Sequence, residues 1–279
     1  MKMIVRFPGG LTKALTLSYD DGIMFDRRLI EIMKKNGIKG AFNINAGCFP
    51  SYENTKSRRL HEDEVVDLYE SNGMEVAIHS YSHSFLEQVP DGHMVYEIIK
   101  DKEELEKLFG KIIRGGAYAY GNYGERSVEA LRLCGIDYFR TTVSTGKFSL
   151  PSEPLLLNPT CKHKDPKLFE YLEDFLKPAS SSHASPKLFY LWGHSYEFED
   201  DNNWDVIEKF CEQAGGHDDV WYATNIEIID YLNAYKRLRL SADGTLCYNP
   251  TSTEICFFAL GKTFTVKPGE TIKVEKDTD

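Results

Sequence analysis

Three groups of side chains stand out for the chemistry they can do. Asp20 and Asp21 are adjacent and precede Gly22; His79 and His83 close the run His79-Ser80-Tyr81-Ser82-His83; His194 follows the apolar run 187–193. Two imidazoles and one carboxylate make a ligand set for a divalent ion that leaves a position open for water. If residues 79–83 make one helical turn, both rings project from the same side. Ser80 stands where the glutamate of the HExxH protease pattern would be, so that mechanism is not available. Of two neighbouring carboxylates, one can hold an ion while the other accepts a proton, and Gly22 lets the chain bend so that both face one cavity. Each feature also has a plainer reading. Asp-Gly favours turns and helix caps, HxxxH can be two unrelated histidines, and a lone histidine is more often packed in a core.

The pattern of elements is what turns these features into a site. Residues 14–19, 74–78 and 188–192 read as strands, and each ends just before one of the three groups. Helical periodicity covers residues 25–36, 61–72, 91–109 and 125–134, each closed by a glycine, and again 165–177, 204–213 and 226–238. Further strands are expected at 39–45, 111–118, 137–143 and 220–224, with an irregular stretch at 144–164 and a loop at 178–186. Such alternation predicts about seven parallel strands with helices outside, in a closed barrel or an open doubly wound sheet. In either, the carboxyl ends of the strands share a face, and the three polar groups meet there. Residues 3–7, before the Pro-Gly-Gly turn, are expected to pair with 14–19 as a hairpin. From Arg239 onward short β-type runs with Asp-Gly and Pro-Gly turns replace the alternation. The expected division is therefore a barrel over 1–238 and a small antiparallel extension over 239–279.

Composition narrows the partners. The 279 residues are 42% hydrophobic and 27% charged, which excludes a disordered chain, a fibrous repeat and a disulfide-stapled miniprotein. A net charge of −10 and the lack of any basic run argue against nucleic acid. Six scattered cysteines without a CxxC pair argue for reduced, packed thiols. No unbroken apolar leader and no stretch of 18 apolar residues is present, so no membrane partner and a cytoplasmic location are expected. Oligomeric state is not legible.

The residues quoted resemble the polysaccharide deacetylase family, of the carbohydrate esterase family 4 type. Its first motif, Thr-Phe-Asp-Asp-Gly, is met by Ser18-Tyr19-Asp20-Asp21-Gly22, and its second, His-Ser/Thr-x-x-His, by 79–83 in full. The strand ending at His194 is similar to the family's late strand, and the resemblance spans about residues 10–230. It implies a distorted (β/α) barrel and a metal-dependent hydrolase that removes an N- or O-linked acetyl group from an oligo- or polysaccharide. By resemblance Asp21, His79 and His83 hold one divalent metal, most often Zn2+; Asp20 is the base and His194 the acid. Both groups titrating implies a bell-shaped pH profile.

Two motifs depart from the family. The third, commonly Arg-Pro-Pro-Tyr-Gly, reads Ala117-Tyr118-Ala119-Tyr120-Gly121, so the arginine that steadies the base is missing and Arg140 is the candidate substitute. The fourth is not recognisable, which leaves the partner of His194 open, with Glu197 close in sequence. The Tyr120 N–H is the resemblance's oxyanion donor, while Tyr118, Trp192 and other aromatics near the motifs are candidates for stacking on sugar rings. Rival readings are a same-fold hydrolase of a non-sugar amide or ureide, a non-heme iron oxygenase built on the same two-histidine, one-carboxylate set, and a non-catalytic saccharide-binding protein.

Overall fold

The computed structural model describes residues 2–54 and 56–276. In chain order β1 (Ile4–Arg6) is followed by β2 (Lys13–Asp20), α1 (Asp26–Lys35), β3 (Gly40–Ile44), α2 (Glu62–Glu70), β4 (Glu75–Ile78) and α3 (Asp91–Phe109). Then come β5 (Gly115–Ala117), α4 (Glu125–Leu133), β6 (Tyr138–Arg140), β7 (Cys161–Lys162), α5 (Leu168–Leu176), β8 (Lys187–Gly193) and α6 (Tyr196–Asp200). Next are α7 (Trp204–Ala214), β9 (Val220–Tyr222) and α8 (Asn225–Lys236), and last β10 (Arg239–Leu240), β11 (Leu246–Tyr248), β12 (Ile255–Ala259), β13 (Lys262–Val266) and β14 (Thr271–Lys273).

β2 is the axis of the molecule. All eight of its residues are buried, and its sequence alternates apolar and polar side chains, as a strand's period of two requires for two unlike faces. Leu15, Leu17 and Tyr19 join a core with Leu29, Ile30 and Met33 of α1. Thr16, Ser18 and Asp20 lie on the other face, where Asn225, Asn43 and Arg140 bond to them in turn. This face of β2 is thus polar from Thr16 onward.

The parallel sheet runs β6-β5-β4-β3-β2-β8-β7. One edge of β2 pairs with β8 from Lys13 to Tyr19; the other is shared between β9 at Lys13–Leu15 and β3 at Leu17–Asp20. That makes eight parallel strands, β9 being a wedge at the foot of the sheet. Residues 157–162 carry the ring onward from β6. Leu157 N donates to Phe139 O (2.9 Å) and Thr141 N to Leu157 O (3.0 Å), while Thr160 N reaches Tyr190 O on β8 (2.8 Å). The result is the distorted (β/α) barrel expected. β7 falls in the stretch read as irregular, because two residues are too few to show any alternation.

The N-terminal hairpin is a correction. β1 does not pair with β2 but with β12, antiparallel, Val5 opposite Phe257. The reason is that β2 has strands on both edges and no free edge to offer. The extension forms two antiparallel three-stranded sheets, β1-β12-β13 and β10-β11-β14, so the first strand of the chain lies in a sheet with the last segment. α8 packs between this layer and the foot of the barrel. Its apolar face (Ile228, Ile229, Tyr231, Leu232) meets Phe7, Leu188 and Ile255, and a reciprocal cap between Thr224 and Glu227 holds its N-terminus, worth about 1 kcal/mol. The six cysteines are free. Among the described residues no helix is long and apolar enough to cross a membrane.

Candidate metal and catalytic site

Two adjacent residues of a strand normally face opposite ways. Asp21 escapes this because its own backbone is left-handed (φ 84°), a region rare for residues with a side chain. Gly22 is left-handed as well (φ 64°), so the expected bend at the glycine begins one residue earlier, at the aspartate, and both carboxylates reach the same cavity. Asp21 N donates to Asn43 O (2.9 Å), and Arg59 Nη1 donates to Asp21 O (2.5 Å) and Asn45 Oδ1 (3.0 Å), locking the turn from both sides.

His79 follows β4, with its Nδ1 2.8 Å from Ala117 O. A carbonyl can only accept, so the proton sits on Nδ1 and the lone pair on Nε2. Nε2 lies 4.0 Å from Asp21 Oδ1 and 3.9 Å from Asp20 Oδ2. His83 Nε2 is 3.4 Å from the same Asp21 oxygen. The expected helical turn is absent: Ser80 (φ 66°) and His83 (φ 58°) are both left-handed, and this tight loop, not a 3.6-residue period, brings the two rings together. Among the described residues, the six non-glycine residues with positive φ include Asp21, Ser80, His83 and Tyr120, a concentration of strain of the kind found at functional sites.

Ligand atoms of Asp21, His79 and His83 all lie within 4.8 Å of one another, and among the described residues no other such group of three occurs. Burial, the largest influence, lowers the pKa of both histidines, to about 4 for His83, so both are neutral with lone pairs free at pH 7. The residues present fit a divalent cation.

Asp20 stands beside this cluster, 2% exposed. Its Oδ2 accepts from Arg140 Nη2, and its Oδ1 from Asn43 Nδ2 (2.8 Å). Burial alone would raise its pKa, but Arg140, then His79 and His194, hold it at about 2. Arg140, fully buried, is the register partner of Ala117 across β5 and β6. The guanidinium therefore reaches Asp20 from the position next to the one the family motif would use. Its Cζ lies 4.5 Å from the ring centroid of Trp192.

His194 faces the cavity from the end of β8, Nε2 being 3.8 Å from Asp20 Oδ2 and 4.0 Å from Asp21 Oδ2. Its Nδ1 meets Glu197 Oε2 at 3.4 Å, one turn along in α6. Burial opposes the imidazolium, yet Glu197 and then the two aspartates outweigh it and raise the His194 pKa. Glu197 also takes Lys162 Nζ (2.8 Å) and lies 3.1 Å from His163 Nε2. Burial works against its charge too, but these partners drive its pKa well below the carboxylate range. A carboxyl held low and an imidazole held high, side by side, is an arrangement acid–base catalysis can use.

The other sequence candidates separate. Tyr120 is 59% exposed, stacked on Phe85 (3.9 Å) and edge-on to His83 (4.4 Å), at the mouth of the site. The Tyr118 side chain is corrected out of the substrate role: it is buried against Phe139 and its hydroxyl donates to Leu155 O (2.9 Å). Trp192 is a buried wall between Arg140 and His194. Asp26 escaped the sequence reading. Its carboxyl, pushed up to about 7 by burial, accepts from Ser195 Oγ (2.5 Å), Tyr69 Oη (2.7 Å) and Ile23 N (3.2 Å). It thereby ties the loop after Asp21 to the loop after His194. An aspartate in the first turn of a helix reads as a cap, so nothing marked it.

Residues 9–139 match the polysaccharide deacetylase family. The matched stretch holds Asp20, Asp21, His79, His83 and the altered third motif, and the resemblance read from two short motifs is thereby shown. No curated protein sequence matches the chain. Among solved structures, a Streptococcus pyogenes deacetylase, PplD, in complex with acetate is 22% identical, with 58% of this chain and 69% of that one covered and a TM-score of 0.51. A Mycobacterium smegmatis structure assigned as a polysaccharide deacetylase is 16% identical, covering 84% of this chain and 94% of that one at a TM-score of 0.59. Puue allantoinase is 16% identical, covering 80% and 91% at 0.60. At these identities the structures show a shared barrel fold.

Proposed function

We propose that this deacetylase-type barrel is a metal-dependent hydrolase that removes an N- or O-linked acetyl group from a saccharide. The observation that carries the reading is the meeting of Asp21, His79 and His83 within ligand distance of one another, flanked by Asp20 and His194. A divalent ion held by those three residues, Zn2+ by resemblance, would polarise the acyl carbonyl and acidify the attacking water.

The chain's own groups supply the rest. Asp20, ionised at any pH well above 2, accepts the water proton as its oxygen bonds to the acyl carbon. Arg140 and Asn43 fix the carboxylate that does so. The left-handed main chain at Tyr120 offers its N–H to the developing oxyanion; one such donor is typically worth about 10²–10³ in rate. His194 donates its proton to the leaving nitrogen or oxygen as the carbon–heteroatom bond breaks, and Glu197 stabilises the imidazolium beforehand. Acetate and a free amine or hydroxyl result. The exposed Tyr120–Phe85 pair gives a sugar ring an apolar face to lie on.

The test is acetate release from acetylated oligosaccharides by zinc-loaded protein, beside Asp20→Asn. Activity in the wild type, lost in Asp20→Asn with zinc content unchanged, is the expected result. Hydrolysis of a cyclic ureide instead of the saccharide, oxygen uptake with Fe(II), or tight saccharide binding without acetate would each replace the proposal by the corresponding rival.

A further inference from the structure

Helix α3 grips the loop that carries His79 and His83 at two points, and neither gripping residue has a part in the steps above. Asp101, fully buried, accepts Ala46 N on Oδ1 (2.7 Å) and His79 N on Oδ2 (2.8 Å), joining the segments that leave β3 and β4. One turn earlier Glu97, 1% exposed, accepts Ser82 N on Oε2 (2.8 Å) and the Ser82 hydroxyl on Oε1 (2.7 Å). Its carbonyl takes Tyr81 N (3.1 Å), and His93 Nε2 lies 3.4 Å from Oε1. Positions i and i+4 share a helix face, so the two carboxylates meet the loop side by side. Among the described residues no lysine or arginine forms an ion pair with either. A buried carboxylate without such a partner is costly to keep, and here both are spent on a five-residue loop with two left-handed non-glycine positions. Such conformations persist only where the surroundings over-determine them.

We propose that Glu97 and Asp101 are positioning residues for this loop: they fix the spacing of the His79 and His83 rings and so set the affinity of the site for its cation. The proposal rests on the reading of Asp21, His79 and His83 as ligands. The two acceptors make different demands. Both Asp101 oxygens receive backbone N–H groups, which cannot reverse, so an asparagine would turn its NH2 against one of them. The Ser82 hydroxyl can reverse, so a glutamine at 97 satisfies both of its contacts: the amide oxygen accepts Ser82 N and the amide nitrogen donates to Ser82 Oγ.

The experiment measures Zn2+ affinity of the metal-free full chain by competition with a chromophoric chelator, with thermal unfolding of the same samples. Asp101→Asn is expected to weaken zinc binding about 10- to 100-fold, the usual effect of removing a group that orients a ligand. Glu97→Ala should move the same way, and Glu97→Gln should regain most of that loss. Asp101→Asn binding zinc as tightly as the wild type would overturn the proposal. Should Asp101→Asn not fold, the Glu97 pair decides, and equal zinc affinities for the Ala and Gln variants overturn it. A wild type that takes up no zinc refutes the ligand reading itself and the brace with it.

Discussion

Replacing Arg140 by methionine tests how Asp20, the proposed base, is held. Arg140 and Asp20 are 0% and 3% exposed in their side chains, so the pair has little water to screen it. Asp20 sits at about 2 instead of 3.8, a shift worth about 2.5 kcal/mol at about 1.4 kcal/mol per unit. A folded-state pKa below the unfolded value stabilises the fold above pH ~4, and the contribution is lost as pH falls from there through about 2. Removing the guanidinium also strands a buried carboxylate, so the total cost should be nearer ~3–5 kcal/mol at pH 7. The Asp20 pKa should rise and the carboxylate lose one of its two fixed contacts. The assay is acetate release with zinc content checked, together with urea unfolding at pH 7 and pH 3. kcat/KM should fall about 10²-fold or more, and the stability deficit should shrink at pH 3 because Asp20 is then partly protonated in the variant. Adding Ala117→Arg to Arg140→Ala should regain part of the activity, since Ala117 is the register neighbour of Arg140. Unchanged kcat/KM in a zinc-loaded Arg140→Met protein would refute the reasoning.

Other expectations follow from the same geometry. His79→Ala should lose zinc, measured by atomic absorption after dialysis, while the fold survives by circular dichroism; full zinc retention removes His79 from the ligand set. Glu197→Gln takes away the anion facing His194, so the alkaline limb of the kcat profile should move to lower pH and kcat fall by about tenfold or more. An unmoved limb excludes Glu197 as the partner. Away from the site, Glu75 is buried, accepts from Tyr138 Oη (2.6 Å) and Ile226 N (2.8 Å), and is raised by burial to about 7. The folded state holds its proton where the unfolded chain does not, so Glu75 makes stability fall as pH rises from about 4.5 through 7. Glu75→Gln should lose less stability than the wild type between pH 5 and 8 in urea unfolding; equal losses would show that Glu75 ionises freely.

The parts of the site legible in the sequence are those whose partners are near neighbours along the chain. Asp20-Asp21-Gly22 and His79 to His83 are short runs at the ends of strands, and their position after apolar segments announces a shared face. Glu197 is three residues from His194 and was within reach for the same reason. Alternation of strand and helix signals points to parallel strands with helices outside, because each signal is the local period of one element, while the choice of a barrel over an open sheet rests on the family resemblance. β7 was lost because two residues carry no period, and β1 was misplaced because its own pattern contains no record of which edge is free.

What the sequence by itself determined is the inventory: parallel strands alternating with helices, two motifs with metal-ligand chemistry, and a histidine at the end of a late strand. Only the tertiary structure decided how these groups are tuned. Arg140 reaches Asp20 across 120 positions of chain, Asp101 holds His79 from a helix, and Asp26 fastens two loops at once. The backbone turns that aim Asp21 and His83 are left-handed, a conformation that Asp and His tolerate better than most residues but that neither adopts without a tertiary context to hold it. A single arginine or aspartate in a sequence looks the same exposed or buried, and its electrostatic effect depends on the burial and the partner, both of which come from packing between distant segments.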